Sequence, residues 1–121
     1  MLNCLLVGLG GFIGAVMRYL VGLIPIKNPE QFPINTFIIN IVGALAIGII
    51  AFYAAKNQSL DAKLVLFLKV GICGGFTTFS TFSLETASLI KNGSIITAVI
   101  YVILSVMLGT LAAILPELLA K

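Results

Sequence analysis

A chain of 121 residues that is 60% hydrophobic and 9% charged, with a mean hydropathy of +1.21, has too few polar side chains to cover a soluble domain, so lipid must be the solvent for most of it. The formal charge of +3 comes from Lys and Arg residues scattered singly, with no basic run or interleaved aromatics, a pattern of interfacial anchors rather than of nucleic-acid binding. With no His in the chain, the usual catalytic triads and most metal sites are excluded; no nucleophile–base pair or phosphate loop replaces them, so an enzyme is not expected.

A bilayer crossing takes about 20 mostly apolar residues, and the pattern predicts four, within a single domain over residues 1–121. The first runs from Leu2 to Ile24 and ends at Pro25, Asn28 and Pro29. It does not read as a cleavable signal peptide, because the first positive side chain is Arg18 and the apolar run is longer than a signal core. Its glycines, Gly8, Gly10, Gly11 and Gly14, miss the dinucleotide fingerprint, since Ile13 stands where G-x-G-x-x-G needs glycine and no strand precedes. They suit close helix packing instead: Gly10-x-x-x-Gly14 here, Ala44-x-x-x-Gly48 in the second span and Gly71-x-x-x-Gly75 in the third share the required spacing. Cys4 and Cys73 lie far apart in apolar runs, without C-x-x-C spacing, and are expected to be small buried hydrophobes.

The second span runs from Ile34 to Ala55, before Lys56-Asn57-Gln58-Ser59. The third runs from Ala62 to Ile90, before Lys91-Asn92-Gly93. The fourth runs from Ser94 to Leu115 and is expected to end at Pro116 and Glu117. Short connections predict antiparallel neighbours. Lys56, Lys63, Lys69 and Lys121 fall on one side of the membrane, Arg18, Lys27 and Lys91 on the other. So small a bias predicts insertion in both orientations and an antiparallel homodimer.

The third span is interrupted at Gly74-Gly75-Phe76-Thr77-Thr78-Phe79-Ser80-Thr81-Phe82-Ser83. Each of two adjacent glycines weakens a helix by about 1 kcal/mol relative to Ala. The hydroxyl residues that follow compete for the backbone's own hydrogen bonds. A break is expected, and at membrane depth non-helical backbone survives only beside protein or a water-filled cavity. Such breaks bind ions by freeing carbonyls and amides. Hydroxyls that merely bond back to helical carbonyls are the alternative; their density, the paired glycines and the Phe spacing argue against it.

Gly74-Gly75-Phe76-Thr77-Thr78-Phe79-Ser80-Thr81-Phe82 resembles the signature of the Fluc (CrcB-type) fluoride channels. Gly10-Gly11-x-x-Gly14 with Arg18, and Thr36 to Asn40 with Gly43, agree with that family. The resemblance covers essentially the whole chain. It implies a dual-topology homodimer in the cell inner membrane or plasma membrane, with two anion pores and a structural sodium ion at the interface. The matching sodium ligands are the carbonyls of Gly74 and Thr77. The pore phenylalanines match Phe79 and Phe82, the pore asparagine matches Asn40, and the hydroxyl track matches Ser80, Thr81, Tyr101 and Ser105, with Thr36 nearer an entrance. Glu85 matches a polar residue beyond the break, and Arg18 a vestibule position. Gly109 stands where the family's track extends by a further hydroxyl. The physiological role implied is passive leak of fluoride from a cell that has accumulated it as the membrane-permeant acid.

The residues suit that chemistry. A pore for a small, strongly hydrated anion must replace its water with donors without trapping it, and a fixed lysine would hold it too tightly. Asn40 offers an amide and Ser80, Thr81, Tyr101 and Ser105 offer hydroxyls. Tyr101, Ser105 and Gly109 share one helical face, as do Thr36 and Asn40. Phe79 and Phe82 can turn positive ring edges to an anion, although an isolated pair would read as apolar packing. Arg18 suits either an interfacial anchor or an anion-attracting vestibule. Glu85 is the carboxylate inside a span, near enough its end for a water-exposed role. Two rivals fare worse. A proton-coupled multidrug exporter needs an acid in the first span and an aromatic cage, often with Trp; the first span has no acid and the chain has no Trp. A membrane scaffold needs no polar cluster at mid-span.

Overall fold

The computed structural model describes residues 1–26 and 31–121; Lys27 and the expected stop at Asn28 and Pro29 lie outside them. Helix α1 spans Leu2–Gly22 and α2 spans Ile34–Lys56. The third crossing, Ala62–Lys91, is built from pieces: α3 (Ala62–Leu66), a π-helical segment Phe67–Cys73, α4 (Gly74–Phe76) and α5 (Phe79–Lys91). Helix α6 spans Ile95–Leu119. Each of the four crossings is long and apolar enough to span a bilayer. The described residues thus make an all-α membrane protein, the architecture that bonds most backbone groups within each crossing.

Two close helix pairs make the bundle. Helix α1 lies along the first half of the third crossing, and α2 lies along α6. Glycine permits both. A Cβ at Gly10 would come within 2.8 Å of the Gly71 Cα, and one at Gly75 within 2.9 Å of the Gly11 Cα. At the other pair, a Cβ at Gly48 would collide with the Ala113 carbonyl. In lipid, where apolar surface gains little by leaving its surroundings, such backbone approach is what holds helices together. Cys73 is buried beside this seam, whereas Cys4 is on the open face of α1, not in the core as expected.

The second half of the third crossing leans on α6 instead. Leu89, Ala98 and Tyr101 form the buried centre there, with Phe32, Phe37 and Phe82 around them. The Phe82 and Tyr101 rings are 4.9 Å apart at their centroids, and Phe32 meets Tyr101 edge-on at 5.3 Å. The turn into α6 needs Gly93, at φ +83°, where the Gly93 and Ser94 amides close back on the Ile90 and Leu89 carbonyls.

The fourth helix does not stop at Pro116 but continues to Leu119. Pro116 removes one donor, which should have gone to the carbonyl four residues back, and three more residues stay helical beyond it. The glycine pair is also not where the third crossing breaks. Cys73 and Gly74 have helical dihedrals; the extended residues are Thr77 (φ −76°, ψ 156°) and Thr78 (φ −148°, ψ 113°). The hydroxyls of Thr77 and Thr78 and the Asn40 side chain that grips Thr78, rather than the glycines' freedom, hold the break where it is.

Candidate functional site

The break is held by side chains. Cys73's carbonyl accepts both the Thr77 amide at 3.1 Å and the Thr77 Oγ1 at 2.9 Å, which finishes α4. Asn40, reaching from α2, grips Thr78 at two points: its Oδ1 accepts the Thr78 N–H at 2.8 Å and its Nδ2 donates to the Thr78 carbonyl at 3.2 Å. Thr78 is then the N-cap of α5, its Oγ1 accepting the Thr81 N–H at 3.2 Å. Arg18 crosses from α1 and donates its Nε to the Gly75 carbonyl at 3.1 Å. It is half-buried and tied to the break, not extended toward an interface.

Among the described residues, the Thr77 and Thr78 amides that could close on the Gly74 carbonyl go to Cys73 and Asn40 instead, and no hydrogen bond reaches the Thr77 carbonyl. Phe76 is buried, Thr77 half-buried and Gly74 exposed. A Cβ at Gly74 would meet nothing within 4 Å. Ser80 and Ser83 are exposed on the same crossing, and Phe79 is 79% exposed. The third span therefore exposes hydroxyls and backbone about the middle of its length. Lipid tails cannot satisfy such groups, so this face needs protein or water against it.

Two cavities flank Thr78. One, of about 270 Å³, is lined by Asn40, Thr77, Thr78, Phe79, Phe82 and Ser105. Ser105 Oγ lies buried without a hydrogen-bond partner among the described residues. The Phe79 and Phe82 rings stand 5.8 Å apart and tilted by 45°. The other cavity, of about 250 Å³, is lined by Arg18, Asn35, Thr36, Thr78 and Thr81, with Tyr19 and Leu23 nearby. Asn35 ties this end together, its Nδ2 donating to the Ile24 carbonyl at 3.0 Å.

Glu85 sits beyond the second cavity and also borders a wider cleft of about 430 Å³ with Phe32 and Asn35. Its Oε2 accepts the Thr36 hydroxyl and its Oε1 the Tyr101 hydroxyl, each at 2.8 Å. Tyr101 is wholly buried, and neither it nor Ser80 lines the cavity that holds Ser105. The structure thus brings Asn40, Phe79, Phe82 and Ser105 together, and separately Arg18, Thr36 and Thr81, with Thr36, Glu85 and Tyr101 joined in one network. Sequence reasoning missed Thr78 and Asn35. Thr78 carries a signal, a hydroxyl residue opening a helix after an interruption; Asn35 is a polar residue at a span entrance and nothing marks it further.

A multi-span helical protein with a polar, side-chain-clamped break and cavities of neutral donors on either side has the build of an ion-conducting membrane protein. The chain belongs to the CrcB-like family, described as CrcB-like protein, Camphor Resistance (CrcB), which it matches over residues 5–116. Relatives span nearly their full lengths. A protein of Clostridium perfringens (strain ATCC 13124) is 43% identical over all of this chain and 95% of its own. One of Methylobacterium sp. (strain 4-46) is 49% identical over 90% of this chain and 88% of its own. One of Azobacteroides pseudotrichonymphae is 39% identical over 96% and 94%. All three are named fluoride-specific ion channel FluC. The family is one of ion channels, not of enzymes.

Proposed function

We propose that this chain is a fluoride channel of the cell inner membrane or plasma membrane, conducting passively as an antiparallel homodimer with two pores. The observation that carries this reading is the cavity beside the break, where Asn40, Ser105 and the Phe79–Phe82 pair meet without any fixed cation. Ser105 brings an unused hydroxyl. Asn40 keeps one amide N–H beyond the one it gives to Thr78. Neutral donors and ring edges replace hydration without holding the anion as a lysine would. Arg18, at the neighbouring cavity, raises the local potential for anions before they reach the donors. Ser80, Thr81 and the Thr36–Glu85–Tyr101 network continue the polar path.

The homodimer reading has its own support. The exposed Gly74 backbone and the exposed Ser80 and Ser83 hydroxyls are better covered by protein than by lipid. A second copy in the opposite orientation offers the same face, and the nearly balanced basic residues favour insertion both ways.

A structural sodium ion fits the donor set. The Gly74 and Thr77 carbonyls are neutral oxygens left without hydrogen bonds among the described residues. Two from each copy give a two-fold set of oxygen ligands with no carboxylate. Bound there, the ion supplies fixed positive charge at the interface, and it is not expected to travel with fluoride.

Purified chain reconstituted alone into liposomes should release trapped fluoride on addition of a potassium ionophore. A folded, correctly inserted protein that passes none would overturn the proposal.

A further inference from the structure

We propose that Thr78 and Asn40 are positioning residues for the cation site: their side chains take the two amides that would otherwise close on its carbonyls. This deepens the sodium reading above and rests on it. In an uninterrupted helix each amide bonds the carbonyl four residues back. The Thr78 N–H would thus occupy the Gly74 carbonyl, and the Thr81 N–H the Thr77 carbonyl. Both are diverted here. Asn40 Oδ1 accepts the first at 2.8 Å and Thr78 Oγ1 accepts the second at 3.2 Å.

The diversion is selective. Cys73's carbonyl stays occupied by Thr77, Gly75's by Arg18 and Thr78's own by Asn40. Gly74 opens to the outside of the chain, where an added Cβ would meet nothing within 4 Å. The side chains thus leave bare the backbone oxygens on either side of the turn.

Asn40 also lines the cavity with Phe79 and Ser105, and Thr78 lines both cavities. One clamp therefore shapes the cation site and the anion path together. Without the Thr78 hydroxyl, the Thr81 amide loses its acceptor and is free to compete with the cation for the Thr77 carbonyl, once in each copy of a two-fold site.

The test is sodium-dependent thermal stability of the purified protein in detergent, with N-methyl-D-glucamine chloride holding ionic strength constant. Thr78→Val should raise the sodium concentration at half-maximal stabilisation by about tenfold, or about 1.4 kcal/mol shared between the two copies. Thr78→Ser, which keeps the hydroxyl, should restore the original midpoint. Asn40→Ala acts on the other carbonyl and should raise the midpoint as well, so a folding failure in one variant leaves the other to decide. A Thr78→Val or Asn40→Ala midpoint equal to that of the unsubstituted protein overturns the positioning role and leaves the cation site standing. No sodium-specific stabilisation of the unsubstituted protein overturns the cation reading, and this inference with it.

Discussion

Glu85 has a hydroxyl donor on each carboxyl oxygen, from Thr36 and Tyr101. Inside a membrane span a carboxyl is costly unless its oxygens are satisfied. The two donors come from different helices, α2 and α6, so the same contacts that solvate Glu85 also tie those helices to α5. Tyr101→Phe keeps the ring packed between Phe32 and Phe82 but strips one oxygen of its donor. It should destabilise the protein by about 1–3 kcal/mol, the cost of an unsatisfied buried acceptor. The check is reversible unfolding in mixed detergent; a Tyr101→Phe protein as stable as the parent would show that water reaches Oε1 and supplies the missing bond.

At the scale of the helix, α1 separates glycines that pack from glycines that do not. A Cβ at Gly14 would overlap the Ile72 carbonyl and come within 2.8 Å of the Phe76 amide nitrogen, whereas one at Gly8 meets nothing within 4 Å. Gly14→Ala is therefore expected to cost about 1–3 kcal/mol by overpacking. Gly8→Ala should be neutral or stabilising by up to about 1 kcal/mol through helix propensity. Equal melting temperatures for the two variants would count against the seam. The spacing of Gly10, Gly14, Gly71 and Gly75 announced this contact, and hydropathy announced four spans, because both are local patterns. The break was legible as a fact but not in its mechanism. Paired glycines suggested flexibility at Gly74, yet the extended residues are Thr77 and Thr78, since what decides them is an amide from Asn40, 38 positions away. No local pattern carries such a partner. Pro116 misled in the same way: one missing donor did not end a helix packed along α2.

For the molecule as a whole, an exposed polar face on the third span makes a single chain in lipid incomplete. If two copies cover that face in opposite orientations, a single cysteine engineered at the α2–α3 connection should be labelled by an impermeant maleimide from both sides of the membrane, to about equal extent, as two-way insertion requires. Labelling from one side only would exclude the antiparallel pair. The glycine seam bears on motion as well. Between α1 and the first half of the third span, backbone rests on backbone, and a seam of that kind has no side-chain layer to absorb sliding. The half beyond Thr77–Thr78 rests instead on α6 through Leu89, Phe82 and Tyr101, whose rotatable side chains tolerate small displacement. The two halves of one span are thus packed unlike each other, the first backbone to backbone and the second through side chains, and Asn40 holds the join between them.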